Sequence, residues 1–145
     1  MRVFVDTNLW AYRLDRREPT RSAIIRSWLQ ELAKQHEIVV STQVLIELRS
    51  VLSSKFKPPL SWLDTQAALQ AIAQFEVVPA NTNLVLDAHE LTKAHKLAWF
   101  DALIVEAALR SGCKLLYSED LNHGQRIEGL EVRNPFVSKE TNPVA

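Results

Sequence analysis

At 145 residues the chain carries enough material for one hydrophobic core and too little for two, which leads us to expect one domain over residues 1–137 with a frayed tail at 138–145. Apolar residues make up 47% of it and charged residues 23%, a balance that excludes a disordered or fibrous chain. Its 17 Lys and Arg are matched by 17 Asp and Glu, so no global field draws it to nucleic acid or to an anionic membrane, and any RNA contact has to be local.

Val3 to Val5 is a short β-branched run that stops at Asp6-Thr7-Asn8, side chains able to cap a helix, and so reads as strand, turn and helix. Ala23, Ile24, Trp28, Leu29 and Leu32 recur at helical spacing behind Pro19-Thr20, predicting a helix over 20–34. A strand at 37–40 leads through Ser41-Thr42 into a second helical pattern at Val44, Leu45, Leu48, Val51 and Leu52, which Pro58-Pro59 closes. Further helices are expected over 61–74, 83–97 and 100–111, the last ended by Gly112. Strands are expected at 76–78 and 115–117, with a weaker one at 131–133. Strands separated by helices imply an α/β protein: a three-layer α/β/α domain with a mainly parallel central sheet. The single cysteine, Cys113, excludes an internal disulfide and a cysteine-rich zinc site and favours a reducing cytoplasm. The opening run meets Asp6 too early for a signal-peptide core, and no run nears the roughly 18 apolar residues of a membrane span. A soluble cytoplasmic protein is the expectation.

In open sheets of this kind ligands gather beyond the carboxyl ends of the strands. Asp6 follows the first strand directly, and Asp120 follows the 115–117 strand closely. Glu47 lies about 40° from the edge of its helix's apolar stripe, and Asp101 about 20° from Ala108 on the buried side of the next motif's helix, whereas Glu106 points away. Each acid has a plainer reading as well: Asp6 as a helix cap, Asp101 as a dipole partner, Glu47 as a side chain reaching solvent, Asp120 as part of a polar turn. Those readings do not require all four to face one crevice. Two carboxylates about 4 Å apart repel by roughly 4 kcal/mol at an effective dielectric of 20, so such a group calls for a counter-ion. Oxygen donors suit a hard divalent cation, Mg²⁺ or Mn²⁺, able to act on a phosphodiester.

The segments Val3-Phe4-Val5-Asp6-Thr7-Asn8, Ser41-Thr42-Gln43-Val44-Leu45-Ile46-Glu47-Leu48, Phe100-Asp101-Ala102-Leu103-Ile104 and Leu116-Tyr117-Ser118-Glu119-Asp120-Leu121 resemble, in order and spacing, those of PIN-domain nucleases, and among them the VapC-type toxins of toxin–antitoxin pairs. The resemblance implies a Mg²⁺- or Mn²⁺-dependent endoribonuclease and frequent homodimerisation. It implies Asp6 and Asp101 as principal metal ligands and Glu47 and Asp120 as completing the catalytic set, with Thr7 or Ser118 orienting ligands or water. The Ser118-Glu119-Asp120 run leaves Glu119 as a competitor for the fourth place. A small antitoxin is implied as partner, and apolar surface from Trp28, Leu29, Leu52, Phe56 and Trp62 is one place for its groove; the alternative is that these are core residues. Arg13, Arg16, Arg17 and Arg21, with Lys93, Lys96, His123 and Arg126, offer phosphate contacts or merely solvated faces. His95 reads as a hydrogen-bonded core histidine.

Aspartyl-phosphate chemistry fits less well. A haloacid-dehalogenase-like phosphatase needs a second acid where Asn8 stands, and a phosphoacceptor receiver needs acids that neither Asp6-Thr7 nor Ser41-Thr42 supplies. The remaining alternative is a non-catalytic PIN-like domain that binds RNA or protein, although such a domain is expected to have lost one of the acids.

Overall fold

The computed structural model describes residues 1–137, so the expected frayed tail lies outside the described residues. In chain order the elements are β1 (Arg2–Val5), α1 (Thr7–Tyr12), α2 (Pro19–Gln35), β2 (Glu37–Ser41), α3 (Thr42–Ser50), α4 (Trp62–Ile72), β3 (Glu76–Val78), α5 (Thr82–Ala94), α6 (Trp99–Arg110), β4 (Leu115–Tyr117), β5 (Arg126–Ile127) and β6 (Leu130–Arg133). The strands form one six-stranded sheet in the order β3-β2-β1-β4-β6-β5. All pairings are parallel except β5 with β6. This is the three-layer α/β/α arrangement that the alternation of strand and helix patterns called for.

Burial explains why the central strands are uniformly apolar. Val3, Phe4 and Val5 in β1, Val39 and Val40 in β2 and Leu116 in β4 are all inaccessible, so successive residues pointing to opposite faces both meet protein. β6 instead alternates buried and half-buried positions. Its hairpin partner β5 was not foreseen. The connection is the two residues Glu128 and Gly129, with φ of 50° and 90°, the left-handed pair that a tight hairpin turn requires.

The helix ends follow from their caps. Ser41, Ser61 and Asn81 accept backbone amides at the starts of α3, α4 and α5, whereas Ala98 gives α6 no side-chain cap. α3 does not run on as an α-helix toward the proline pair. It widens into a π-helical turn over Val51–Lys55, which buries both Leu52 and Phe56.

The apolar groove expected from Trp28, Leu29, Leu52, Phe56 and Trp62 does not form. The first four are buried, because α2 and α3 turn their apolar stripes onto the core, and Trp28 meets the Tyr117 ring edge-on at 4.9 Å. Only Trp62, 68% exposed, remains on the surface.

Candidate acidic site

The strand order reverses between β1 and β4, and the crevice beyond their carboxyl ends is where a ligand reaches both halves of the sheet. Asp6 follows β1, and its amide donates to the Tyr117 carbonyl at 3.0 Å, seating the residue against the end of β4. The residue is buried and is indeed the N-cap of α1: Oδ1 accepts the Thr7 amide at 2.7 Å. Capping does not exhaust it, because Oδ2 accepts the Ser118 hydroxyl at 2.8 Å. The same Ser118 oxygen accepts the Asp120 amide at 3.1 Å, so one serine fixes both Asp6 and the loop that carries Asp120.

Glu47 comes in from α3, half-buried, with each of its oxygens held by a neutral donor. The Thr7 hydroxyl donates to Oε1 at 2.7 Å and the Gln43 amide nitrogen to Oε2 at 3.1 Å. Gln43 also donates, at 3.2 Å, to the carbonyl of Phe100, the residue before Asp101 in the first turn of α6. Sequence reasoning quoted Gln43 without giving it a role; its position four residues before Glu47 on one helix face was the available signal.

Burial pushes the Asp6 carboxyl up to about 7; the bonds from Thr7 and Ser118 oppose the rise, and the negative charges of Asp120 and Glu47 add to it. Asp101 is raised too, by burial first and then by Asp120 and Glu47. The charges that perturb these two carboxyls are all negative. The fold therefore brings the four predicted acids into electrostatic contact at one crevice and provides neutral donors rather than cations around them. Among the described residues no three His, Cys, Asp or Glu side chains are grouped as a ready-made metal cage. Such a donor set fits a hard divalent cation that takes one or two carboxylates directly and retains waters and a phosphate oxygen, and it does not fit a closed zinc site.

Glu119 is engaged elsewhere, accepting the Tyr12 hydroxyl, while the exposed Asp120 is the residue whose charge bears on both Asp6 and Asp101. Glu106 lies away from the group, paired with Arg110 at 3.6 Å. Two of the arginines offered for phosphate contact have structural partners: Arg17 and Arg21 donate to the buried Asp15 at 3.1 and 3.4 Å, and Arg21 also lies 4.0 Å over the Tyr12 ring. His123 accepts the Asn134 amide through Nδ1 at 3.0 Å, and His95 pairs with Glu128 at 3.0 Å while only partly buried.

The PIN-domain family model matches residues 3–127, and the chain belongs to the PIN-domain family. Similar solved structures include VapBC2 of Rickettsia felis, bound to a DNA fragment from its promoter, with TM-score 0.66, 20% identity, and coverage of 92% of this chain and 98% of that one. VapC20 of Mycobacterium tuberculosis, described as a toxin that cleaves the sarcin-ricin loop, gives a TM-score of 0.56 at 20% identity over 80% of this chain and 88% of that one. FitAB bound to a DNA fragment gives 0.58 at 17% identity over 81% and 85%. At these identities the likeness is one of fold. No curated protein matches the chain.

Proposed function

We propose that this protein is a metal-dependent endoribonuclease, the toxin of a type II toxin–antitoxin pair. The observation that carries the reading is the coupling of Asp6, Glu47, Asp101 and Asp120, drawn from four distant segments, at the switch-point crevice with only neutral donors around them. Asp6 and Asp101 would hold Mg²⁺ or Mn²⁺, and Glu47 and Asp120 complete the site as the remaining catalytic acids. When bound, such an ion supplies charge neutralisation for a phosphodiester and a more acidic water. The residues' own part is to position and to exclude water. Thr7 and Gln43 fix both oxygens of Glu47, and Ser118 fixes Asp6 against the loop of Asp120. A carboxyl raised to about 7 is about half protonated at neutral pH, so a cation held there would displace a fraction of a proton. Of Glu119 and Asp120 we assign the fourth place to Asp120, since Glu119 is tied to Tyr12.

Likeness to the VapBC2 and FitAB structures supports a small antitoxin as partner, and the family resemblance adds a homodimer acting in the cytoplasm to the proposal. Among the described residues no helix is long and apolar enough to cross a membrane. A PIN-like domain that binds RNA or protein without cleaving is the alternative that the test must separate from the nuclease. One experiment separates the two: purified, partner-free protein and its Asp101→Asn variant are given a structured RNA pool with Mg²⁺, Mn²⁺ or EDTA. Metal-dependent products that vanish in the variant support the nuclease. Equal inactivity of both proteins, with RNA still bound, supports the binding domain.

A further inference from the structure

We infer that Gln43 is a positioning residue that sets the spacing between Glu47 and Asp101, and the inference rests on the nuclease reading of those acids. Its amide nitrogen faces two acceptors at once, Glu47 Oε2 at 3.1 Å and the Phe100 carbonyl at 3.2 Å. Both partners are oxygens, so the nitrogen and not the amide oxygen points inward, and its two hydrogens are both used. The tie therefore spans two helices that are remote in sequence, joining α3 at Glu47 to α6 one residue before Asp101.

Local structure shows why such a tie matters at this point. α6 begins at Ala98 without a side-chain cap, unlike α3, α4 and α5, so the end that carries Asp101 lacks the usual anchor. Glu47 and Asp101 carry like charge, which favours separation of the two helix ends. A neutral donor that grips Glu47 on one side and the α6 backbone on the other opposes that separation without neutralising either acid. A lysine or arginine at 43 would bridge the same gap but compete with a bound cation. Phe100, 64% exposed, contributes little packing at this end, whereas Trp99 meets the His89 ring of α5 edge-on at 6.5 Å. Gln43 is thus the polar contact that fixes the α6 end to α3.

The test uses the full chain and the variants Gln43→Met, which keeps length and apolar stem but has no donor, and Gln43→Glu, which keeps shape and places a charge beside Glu47. Hydrogen exchange of amides 99–103 is measured in metal-free buffer, and the Mg²⁺ concentration for half-maximal RNA cleavage is measured alongside. Both variants should exchange those amides at least fivefold faster than wild type. In Gln43→Met, half-saturating Mg²⁺ should rise about threefold to tenfold at an unchanged KM for RNA, with melting temperatures within a few degrees. Unchanged exchange and unchanged Mg²⁺ dependence in Gln43→Met would overturn the assignment. If Gln43→Met does not fold, Gln43→Glu decides by amide exchange alone, where exchange unchanged from wild type would overturn the assignment. Should wild type fail to cleave RNA at all, the nuclease reading falls while the exchange measurement still judges the tie.

Discussion

Replacing Asp6 with Asn should stabilise the metal-free protein at alkaline pH while abolishing RNA cleavage. A carboxyl raised from 3.8 to about 7 binds its proton more tightly in the folded chain than in the unfolded one. Below about pH 4 both states hold the proton and the buried acid costs little. As pH rises from about 4 to about 7 the unfolded chain releases its proton first, and stability falls across that window. Above it the full difference applies, about 3 pH units at 1.36 kcal/mol each, or about 4 kcal/mol. Asn still caps α1, but it offers one acceptor oxygen in place of the two now engaged by Thr7 and Ser118, which returns about 1 kcal/mol of the gain. The expected net stabilisation is about 2–3 kcal/mol at pH 8 in EDTA, shrinking to nothing or slightly reversing near pH 4. Urea unfolding of both proteins at the two pH values, with and without Mg²⁺, measures it, and Mg²⁺ should narrow the gap at pH 8 by stabilising only the wild type. A variant less stable than wild type at pH 8, or a gap that does not change with pH, would refute the claim that burial strains this carboxylate.

Thr7→Val keeps shape but removes the donor to Glu47 Oε1, and should destabilise by about 1 kcal/mol while lowering cleavage at limiting Mg²⁺ more than at saturation. Equal Mg²⁺ dependence in the two proteins would count against that hydroxyl. Asp120→Asn should cost at least tenfold more cleavage than Glu119→Gln; the reverse order would hand the fourth place to Glu119. Tyr12→Phe, which strips Glu119 of its donor, should lower unfolding free energy by about 1–3 kcal/mol with little change in cleavage rate, as read by urea midpoints and initial rates. Trp28→Ala should lower stability by about 3–5 kcal/mol, as for a core aromatic, whereas a surface groove residue would cost almost nothing.

Much of this was legible because the sheet is parallel and doubly covered. Val3 to Val5, Val39-Val40 and Leu115-Leu116 announce their strands by continuous apolarity. Asp6 and Asp120 stood out by following two of these strands, and Glu47 and Asp101 by lying beside the apolar faces of their helices. Other features carried weaker signals. β5 spans only Arg126–Ile127, too short for any periodicity, and its Glu-Gly turn is a poorer hairpin signal than Asn-Gly or Asp-Gly. The choice between groove and core for Trp28, Leu29, Leu52, Phe56 and Trp62 was open for a different reason: helical spacing identifies an apolar face but not what covers it, so Trp28 and Phe56, which meet the core, read like Trp62, which meets solvent. Gln43 and Tyr12 were missed because a tie between segments far apart in sequence has no local pattern.

The chemistry around the acids also sets Asp6 apart from another buried aspartate of the chain. Asp15, a buried acid outside the site, is held below the usual carboxylate range, chiefly through its bond from Arg17. Asp6 is enclosed by far more protein, its partners are an amide, a hydroxyl and other acids, and burial pushes it the other way. The same chain thus treats two buried aspartates in opposite manners, and arginines that settle Asp15 are within one helix of α1. If Asp6 served only to cap α1, a cationic neighbour would have relieved it at no cost to the cap. Leaving it unrelieved agrees with the proposed cation site, where the missing positive charge would come from outside the chain and relief of the strain would add to the free energy of cation binding.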